Sequence, residues 1–506
     1  MPAPLKAPAL RHSPQRVYAT AFTLGFGLLL PWYAFLNALP YFAGVFPSQP
    51  VTYWATIAFN SPQLPAQLAL LATGKWPSPR LPLLVGYGVQ AAVLLATPFL
   101  ATRAVPALLV LAAVAGGATA VVESGVFGGC AELGANAASA SQAVLAGEGV
   151  ASVVANVVQL VLYTAPPARR TALTYAYFAG AAGVMCVCAA LAGELAAQVA
   201  AQRARDGLGG GGGGAAAAED AMRPLVSEST PLFAKKSERT PLVSLELSMA
   251  EDLSVDESRD SALDKTRRTA VDTFGADAPS LPTTFAARVA AAAQLALDVA
   301  AACWPTLLAI WGSMVLTFLV FPGVTADVPF TASDGGRGTF LASDKGAWSL
   351  LLFFVNAVGD LTGRALAGTD AGGFTWLGGG EFGEYEALES EARSTGGPLA
   401  SADRRRGSSA LLMRRVAVTL GYNAARALTL PVLIAAARGW RPPHLDVIVA
   451  LNMVLFSVSN GHAQTLAMML GPLQVVPEHR GTAAVLHVLC LIAGLWVGSA
   501  GALFLG

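Results

Sequence analysis

Asp360 and Arg364 lie four residues apart inside the apolar run FFVNAVGDLTGRALAG, Phe353 to Gly368. At this spacing an aspartate and a following arginine share one face of a helix and form a favourable pair. Ionisable side chains inside a membrane are costly, and they usually face the bundle interior, where they mark paths of substrates or ions. The pair therefore indicates a functional site. A self-neutralising pair that only locks neighbouring helices together is the alternative.

Two glycines, Gly359 and Gly363, form a small-xxx-small edge beside this pair. Such an edge lets the backbone of a neighbouring helix come close. Ser349 and Asn356 continue the polar face that the charged pair begins. We therefore expect this segment to be a membrane helix with one close neighbour and one polar face.

A membrane carboxylate, Glu148, stands between two glycines in QAVLAGEGVASVVANVVQ, Gln142 to Gln159. Ser152 and Asn156 extend the same polar face, and the glycines open backbone space beside the carboxyl group. A carboxyl group in this position is a candidate proton-coupling site. A protonated glutamic acid in a packing notch is the alternative, and the sequence favours neither interpretation.

Two more side chains stand out in apolar surroundings. Trp32 follows Pro31 near the middle of the first apolar run, away from the interfacial belt where tryptophan is common. An indole beside a proline kink could stack on a planar ligand, although a bulky core tryptophan is at least as good an explanation. Glu123 is a third membrane carboxylate, and we hypothesise that it pairs with Arg426.

Polar faces on further apolar segments indicate a wet or substrate-filled cavity, and hydrogen bonding between helices is the competing explanation. These faces are formed by Asn60, Gln63, Gln67, Ser457, Asn460 and Gln464. His462 and His487 stand alone without ligand spacing, so we expect no metal site. No nucleotide-binding loop, nucleophile elbow or HExxH motif is visible, so we expect neither a cofactor nor an enzyme.

The elements that carry these residues are predicted membrane helices. Hydrophobic residues make up 54% of the 506-residue chain and charged residues 13%, about half the share usual in a soluble protein. A span needs about 20 predominantly apolar residues. Eleven candidates meet this criterion. We therefore predict an all-α polytopic membrane protein embedded in the lipid bilayer. The eleven candidates begin near Val17, Thr52, Leu81, Ala104, Ala138, Thr171, Val299, Gly346, Ala410, Leu445 and Thr482.

Polar stretches divide the chain into four parts. We expect a cytoplasmic tail at 1–16, helices one to six at 17–201, a disordered linker at 202–288 and helices seven to eleven at 289–506, with a polar insertion at 368–409. Lys and Arg placement favours a cytoplasmic N-terminus and linker. The 32 positive and 32 negative residues balance, so no nucleic-acid partner is indicated, and no obligate protein partner is evident.

The motifs together resemble the equilibrative nucleoside transporter family. The segments involved are LLPW at Leu29–Trp32, AGEG at Ala146–Gly149, DLTGR at Asp360–Arg364, SNG at Ser459–Gly461 and GLWVG at Gly494–Gly498. The resemblance covers nearly all of the chain outside the termini and the two polar insertions. It implies a six-plus-five, two-bundle fold similar to that of the major facilitator superfamily. It also implies that the protein carries nucleosides by alternating access.

The resemblance also implies a set of substrate-binding residues. Asp360 and Arg364 would meet the ribose hydroxyls, and Trp32 would contact the planar base. Leu29 would contact the planar base together with Trp32, Leu495 would line the pocket, and Asn460 completes the predicted set. The family's helix-five glutamine, which binds the base edge, is Glu148 here. Its asparagine after Pro-Trp is replaced by tyrosine at 33.

The glutamate in place of glutamine leads to a hypothesis of proton-linked uptake, because Glu148 can gain and lose a proton. An ionised glutamate only accepts hydrogen bonds, which would favour an exocyclic amine over a carbonyl edge. We expect transport of purine and pyrimidine nucleosides. The alternatives are a nucleobase or organic-cation transporter on the same fold, and a membrane enzyme or sensor. The plasma membrane is expected over an endolysosomal or vacuolar membrane.

Overall fold

The computed structural model describes residues 13–48, 51–73, 79–209, 285–321, 324–325, 328, 330, 345–369, 398–502 and 504. Over these residues the regular structure is entirely helical. The first-half helices are α1 (Pro14–Val45), α2 (Val51–Asn60), α3 (Gln63–Thr73), α4 (Arg80–Leu100), α5 (Val105–Ala131), α6 (Ala137–Thr164) and α7 (Pro167–Gly209). Those of the second half are α8 (Phe285–Val320), α9 (Lys345–Ala367), α10 (Pro398–Ala425), α11 (Leu430–Ala437), α12 (Leu445–Leu470) and α13 (Arg480–Ala502).

Ten segments in the described part of the chain are long and apolar enough to cross a membrane. The predicted second span is the exception, because it is broken at Ser61 and Pro62 into α2 and α3, with 10 and 11 residues. Neither half alone reaches the about 20 residues that a crossing needs. The eleven predicted crossings thus correspond to ten continuous segments and one broken helix. The protein is a multi-pass membrane protein.

Several predicted boundaries shift. α7 continues to Gly209 and α8 begins at Phe285, so helices occupy both ends of the predicted 202–288 linker. α10 begins at Pro398, inside the predicted 368–409 insertion. The remainder of the linker, residues 210–284, and the insertion residues 370–397 lie outside the described residues. Residues 1–12 of the predicted tail do so as well.

Each half of the chain forms a bundle through close helix pairs. In the first half α1 packs on α6, and α4 packs on α7; in the second half α8 packs on α13, and α9 packs on α12. The α9–α12 contact depends on the predicted glycine edge, since a Cβ at Gly363 would overlap the backbone oxygen of Val458. A Cβ at Gly359 would overlap the hydroxyl group of Ser457. The predicted close neighbour of this edge is confirmed.

The two bundles pack against each other through α6 on α9 and α12, α5 and α3 on α13, and α3 on α8. Gln142, near the start of α6, donates from Nε2 to the backbone oxygen of Arg364, near the end of α9 (3.3 Å). Near the end of α5, a Cβ at Gly128 would lie 3.9 Å from Val485 of α13. Because successive crossings alternate in direction, these contacts lie in the half of the membrane where α1 begins.

Candidate functional site

A cavity of about 910 Å³ lies between the two bundles and is partly open to the outside of the molecule. The structure brings all seven predicted site residues together around it: Leu29, Trp32, Glu148, Asp360, Arg364, Asn460 and Leu495. They come from α1, α6, α9, α12 and α13. Helices that are distant in sequence therefore converge on one site, while the role of each side chain as a ligand contact stays a prediction.

A charged cluster forms one side of the cavity. The Nε of Arg364 donates to Oδ2 of Asp360 (2.6 Å), so the pair predicted from their spacing along the helix is present. The other carboxylate oxygen, Oδ1, accepts from Nδ2 of Asn460 (2.7 Å). Asp360 is thereby held by a cation on its own helix and by an amide from α12. Charge-assisted hydrogen bonds of this kind are short and strong.

Arg364 also reaches across to the first bundle. Its Nη1 donates to Oε2 of Glu148 (2.7 Å) and to the backbone oxygen of Leu145 (3.0 Å), both on α6. The approach depends on Gly149, where a Cβ would lie 3.2 Å from Cδ of Arg364 and 3.1 Å from Cα of Leu361. One guanidinium group therefore joins the two bundles through a buried ion pair.

Aromatic and apolar side chains also line the cavity. The rings of Trp32 and Phe59 lie with their centroids 5.0 Å apart and their planes at 51°. Leu29, Tyr33 and Leu495 line the same cavity. A planar, partly apolar ligand could therefore lie against Trp32 while its polar end points at the charged cluster, because aromatic faces stack favourably on flat rings.

Glu123 is a site residue that the resemblance did not include. It is 5% exposed on α5 and lines the cavity. Among the described residues no hydrogen bond or ion pair is found for its carboxyl group. The hypothesised pair with Arg426 does not form, because the guanidinium of Arg426 is bonded to neutral side chains, among them Ser313 and Asn460. The sequence signal for Glu123 was its charge within an apolar helix.

Some of the polar side chains predicted to share helix faces line the cavity, and others form hydrogen bonds within or between helices. Asn60 and Gln63 line the cavity, with Nε2 of Gln63 bonded to Oδ1 of Asn60 (3.1 Å). Gln67 instead donates to the backbone oxygen of Ala120 on α5 (3.0 Å). Ser457 donates to the oxygen of Met453 in its own helix (2.7 Å). Only part of the polar surface therefore faces the cavity.

A second cavity, of about 750 Å³, lies at the bundle contact on the side where α1 begins. Its wall is mostly apolar and includes one ion pair, between Glu132 and Arg203 (2.6 Å). No group of three or more His, Cys, Asp and Glu side chains suited to a metal ion occurs in the described ranges. The central cavity, with its paired charges and aromatic wall, is the better candidate site.

Comparison with known families gives one match. A family model described as nucleoside transporter matches residues 414–505, which include the SNG and GLWVG motifs. Over this segment the match confirms the resemblance that the motifs predict. No curated protein matches the chain.

Several solved transporter structures are similar in arrangement. The proton:xylose symporter XylE, of the major facilitator superfamily, aligns at 12% identity and a TM-score of 0.49, covering 96% of this chain and 88% of XylE. The nucleoside transporter NupG aligns at 11% identity and 0.44, covering 96% and 90%. The E. coli fucose:proton symporter FucP aligns at 12% identity and a TM-score of 0.43, covering 96% of this chain and 91% of FucP. All three scores lie below 0.5, so the functional interpretation depends on the chain's own residues.

Proposed function

We propose that this membrane protein, whose residues 414–505 match the nucleoside transporter family, carries purine and pyrimidine nucleosides across the membrane by alternating access. One observation carries the proposal. A single cavity between the two bundles is lined both by the charged cluster around Asp360 and Arg364 and by aromatic and apolar side chains that include Trp32. A nucleoside has the same two-ended chemistry, since a hydroxylated sugar is joined to a flat base.

The sugar end is matched by the charged cluster. A ribose hydroxyl both donates and accepts hydrogen bonds, whereas a carboxylate only accepts and a guanidinium only donates. Asp360 and Arg364, 2.6 Å apart, offer both functions within the reach of two vicinal hydroxyl groups. The pair therefore presents both donors and acceptors to an uncharged sugar.

The base end is matched by Trp32, Leu29 and the carboxyl group of Glu123. A base stacked on an aromatic side chain gains about 1–3 kcal/mol. Glu123 has no partner among the described residues, so its oxygens are available to accept from an exocyclic amine. Glu148, to which the resemblance gives the base edge, is already held by Arg364. We therefore assign base-edge contact to Glu123 as well as to Glu148.

Alternating access requires the bundle contact to open. Because the contact lies on the side where α1 begins, the structure corresponds to a carrier closed on that side. With the N-terminus and linker in the cytoplasm, as Lys and Arg placement predicts, the cavity would face the exterior. Arg364 serves both the proposed sugar site and the tie to Glu148. The substrate and Glu148 therefore compete for one guanidinium, so substrate binding would weaken the ion pair between the bundles.

Proton-linked uptake follows from the same ion pair between Arg364 and Glu148. Protonation of Glu148 would remove its negative charge and weaken the ion pair with Arg364, which would favour opening on the closed side. The other ionisable groups that line this cavity are Asp360 and Arg364, on α9, Glu123, on α5, and Tyr33, on α1. Uptake is then expected to rise as the pH falls.

A second candidate function, transport of organic cations, has its own observation. Three carboxyl groups line the cavity, those of Glu123, Glu148 and Asp360, against one guanidinium, that of Arg364. If all are ionised, the lining residues carry a net charge of −3 + 1 = −2. A buried excess of negative charge is stabilised by a bound cation or by protons.

Competition separates these candidates. Uptake of labelled adenosine is measured in cells that express the protein, in the presence of unlabelled adenosine, uracil or a monoamine. Inhibition by adenosine alone would support the nucleoside assignment. Absence of saturable adenosine uptake, or stronger inhibition of that uptake by the monoamine or by uracil than by adenosine itself, would overturn it in favour of the second candidate or of a nucleobase carrier. Location at the plasma membrane is checked by surface labelling of the same cells.

A further inference from the structure

The guanidinium group of Arg426 lies behind the cavity, between α8, α10 and α12, and is 2% exposed. It does not line the cavity. Its hydrogen bonds, which involve all three of its nitrogens, run to Ser313 Oγ (2.6 Å), Asn460 Oδ1 (2.9 Å), Asn423 Oδ1 (3.1 Å), Thr317 Oγ1 (3.1 Å) and Ser459 Oγ (3.3 Å). A buried cation held only by neutral groups is costly, so a retained one calls for a specific role.

Asn460 connects this cation to the proposed sugar site. Its Oδ1 accepts from Nη2 of Arg426 (2.9 Å) and from Nε2 of Gln464 (2.8 Å), while its Nδ2 donates to Oδ1 of Asp360 (2.7 Å). A guanidinium group can only donate and a carboxylate can only accept. The amide therefore has one orientation, with its oxygen toward Arg426 and its NH₂ group toward Asp360.

The orientation of this amide determines how Asp360 is placed. A carboxylate has about four lone-pair sites. In this structure one is used by Nε of Arg364 and one by Nδ2 of Asn460. About two sites remain, which is the number that the two vicinal hydroxyls of a ribose require. A flipped amide would point its oxygen at the carboxylate and displace it.

We propose that Arg426 is a positioning residue for sugar recognition, acting through Asn460 to hold Asp360 in the geometry that binds the ribose hydroxyls. The inference rests on the proposed nucleoside function and adds to it a residue that does not touch the substrate. A structural role and a positioning role of Arg426 predict different effects of substitution. A purely structural arginine would affect all substrates alike, whereas a positioning residue would matter most for substrates with the hydroxyl pair.

The test compares adenosine with 2′,3′-dideoxyadenosine, which lacks both hydroxyls. Arg426→Lys keeps the positive charge but lacks the planar fork that contacts several acceptors at once. Loss of a hydrogen bond to a charged group corresponds to roughly a 10-fold to 100-fold change in affinity. We expect Arg426→Lys to raise the KM for adenosine uptake by that amount. The KM for the dideoxy analogue should rise by less than about threefold, because this analogue has no hydroxyls for Asp360 to bind.

A milder pair of variants protects the test against misfolding. Ser313→Ala removes a hydroxyl that contacts both Arg426 and Asn460, and Ser313 does not line the cavity. Ser457→Ala is the matched control, because the Ser457 hydroxyl bonds to carbonyls of its own helix. Ser313→Ala should raise the KM for adenosine more than that for the dideoxy analogue, while Ser457→Ala should leave their ratio unchanged.

A double-mutant cycle tests the route through Asn460. The double variant Arg426→Lys, Asn460→Ala should have the same KM for adenosine uptake as Asn460→Ala alone. The effects of substitutions that act through one network do not add. Additive losses, or equal losses for both substrates, in variants that reach the membrane would overturn the positioning role while leaving the transport function intact. Absence of nucleoside uptake by the wild-type protein would overturn the proposed function, and this inference with it.

Discussion

Arg364 and Glu148 form a buried ion pair across the two bundles, with Nη1 and Oε2 2.7 Å apart. The pair lies beside the cavity and on the side of the membrane where α1 begins. Under the proposed alternating access, opening that side would require the two residues to separate, because they belong to different bundles. The strength of this pair would then affect how readily the protein changes state.

Replacement of Glu148 by glutamine tests this relationship. The amide oxygen can still accept from Arg364, but the negative charge and the proton site are lost. We expect wild-type uptake to increase from neutral to mildly acidic pH and uptake by Glu148→Gln to be flat over the same range. The control is Glu132→Gln, which alters a pair with Arg203 that is outside the central cavity. Unchanged pH dependence in Glu148→Gln would remove the basis for proton linkage through this residue.

The aromatic wall is tested at Trp32. Alanine removes the ring on which the base is proposed to stack, whereas phenylalanine keeps a smaller one. Loss of stacking corresponds to about 1–3 kcal/mol, or roughly 5-fold to 160-fold weaker binding. We expect the KM for adenosine to rise by that amount in Trp32→Ala and by much less in Trp32→Phe. Equal effects of the two variants would exclude stacking of the base on an aromatic ring at position 32.

Glu123 is tested by comparing bases. When ionised, the Glu123 carboxylate accepts but does not donate, so it favours the exocyclic amines of adenosine and cytidine over the carbonyl edges of inosine and uridine, whereas a protonated carboxyl group would not discriminate in this way. Glutamine can do both. We expect the uptake ratio of cytidine to uridine to fall toward one in Glu123→Gln. A ratio that stays at its wild-type value would exclude Glu123 from base selection.

The glycine edge of α9 is tested for stability. A methyl group at Gly363 would overlap the backbone of α12, and such overpacking typically costs 1–3 kcal/mol. We expect Gly363→Ala to lower the melting temperature of the detergent-solubilised protein. Gly183→Ala is the matched control, since a Cβ there meets no atom within 4 Å. If both variants melt like the wild type, the α9–α12 contact is looser than described.

Sequence reasoning recovered the helices but not their interruptions. The apolar composition of residues 51–73 predicts one span, because hydropathy averages over the segment. The break follows from Pro62, which lacks a donor and disfavours helical geometry at Ser61. Spacing within a helix predicted the Asp360–Arg364 pair correctly, since i and i+4 neighbours are fixed by helical geometry.

Partners on different helices were harder to predict. Charge complementarity alone favoured a pair between Glu123 and Arg426, but complementarity does not set distance. In the structure Arg426 belongs to the interior of the second bundle, whereas Glu123 faces the cavity from the first. For the same reason the ion pair of Glu148 with Arg364 was not anticipated, because only the packing of α6 on α9 brings the two together.

The most direct test of the central claim is flux of tritiated adenosine into sealed proteoliposomes that contain the purified protein. The account predicts saturable entry that excess unlabelled adenosine abolishes, and no such entry with a folded Asp360→Ala variant, which lacks the carboxylate at the sugar site. Folded wild-type protein that binds adenosine without moving it into the vesicles, or that does neither, would contradict the account.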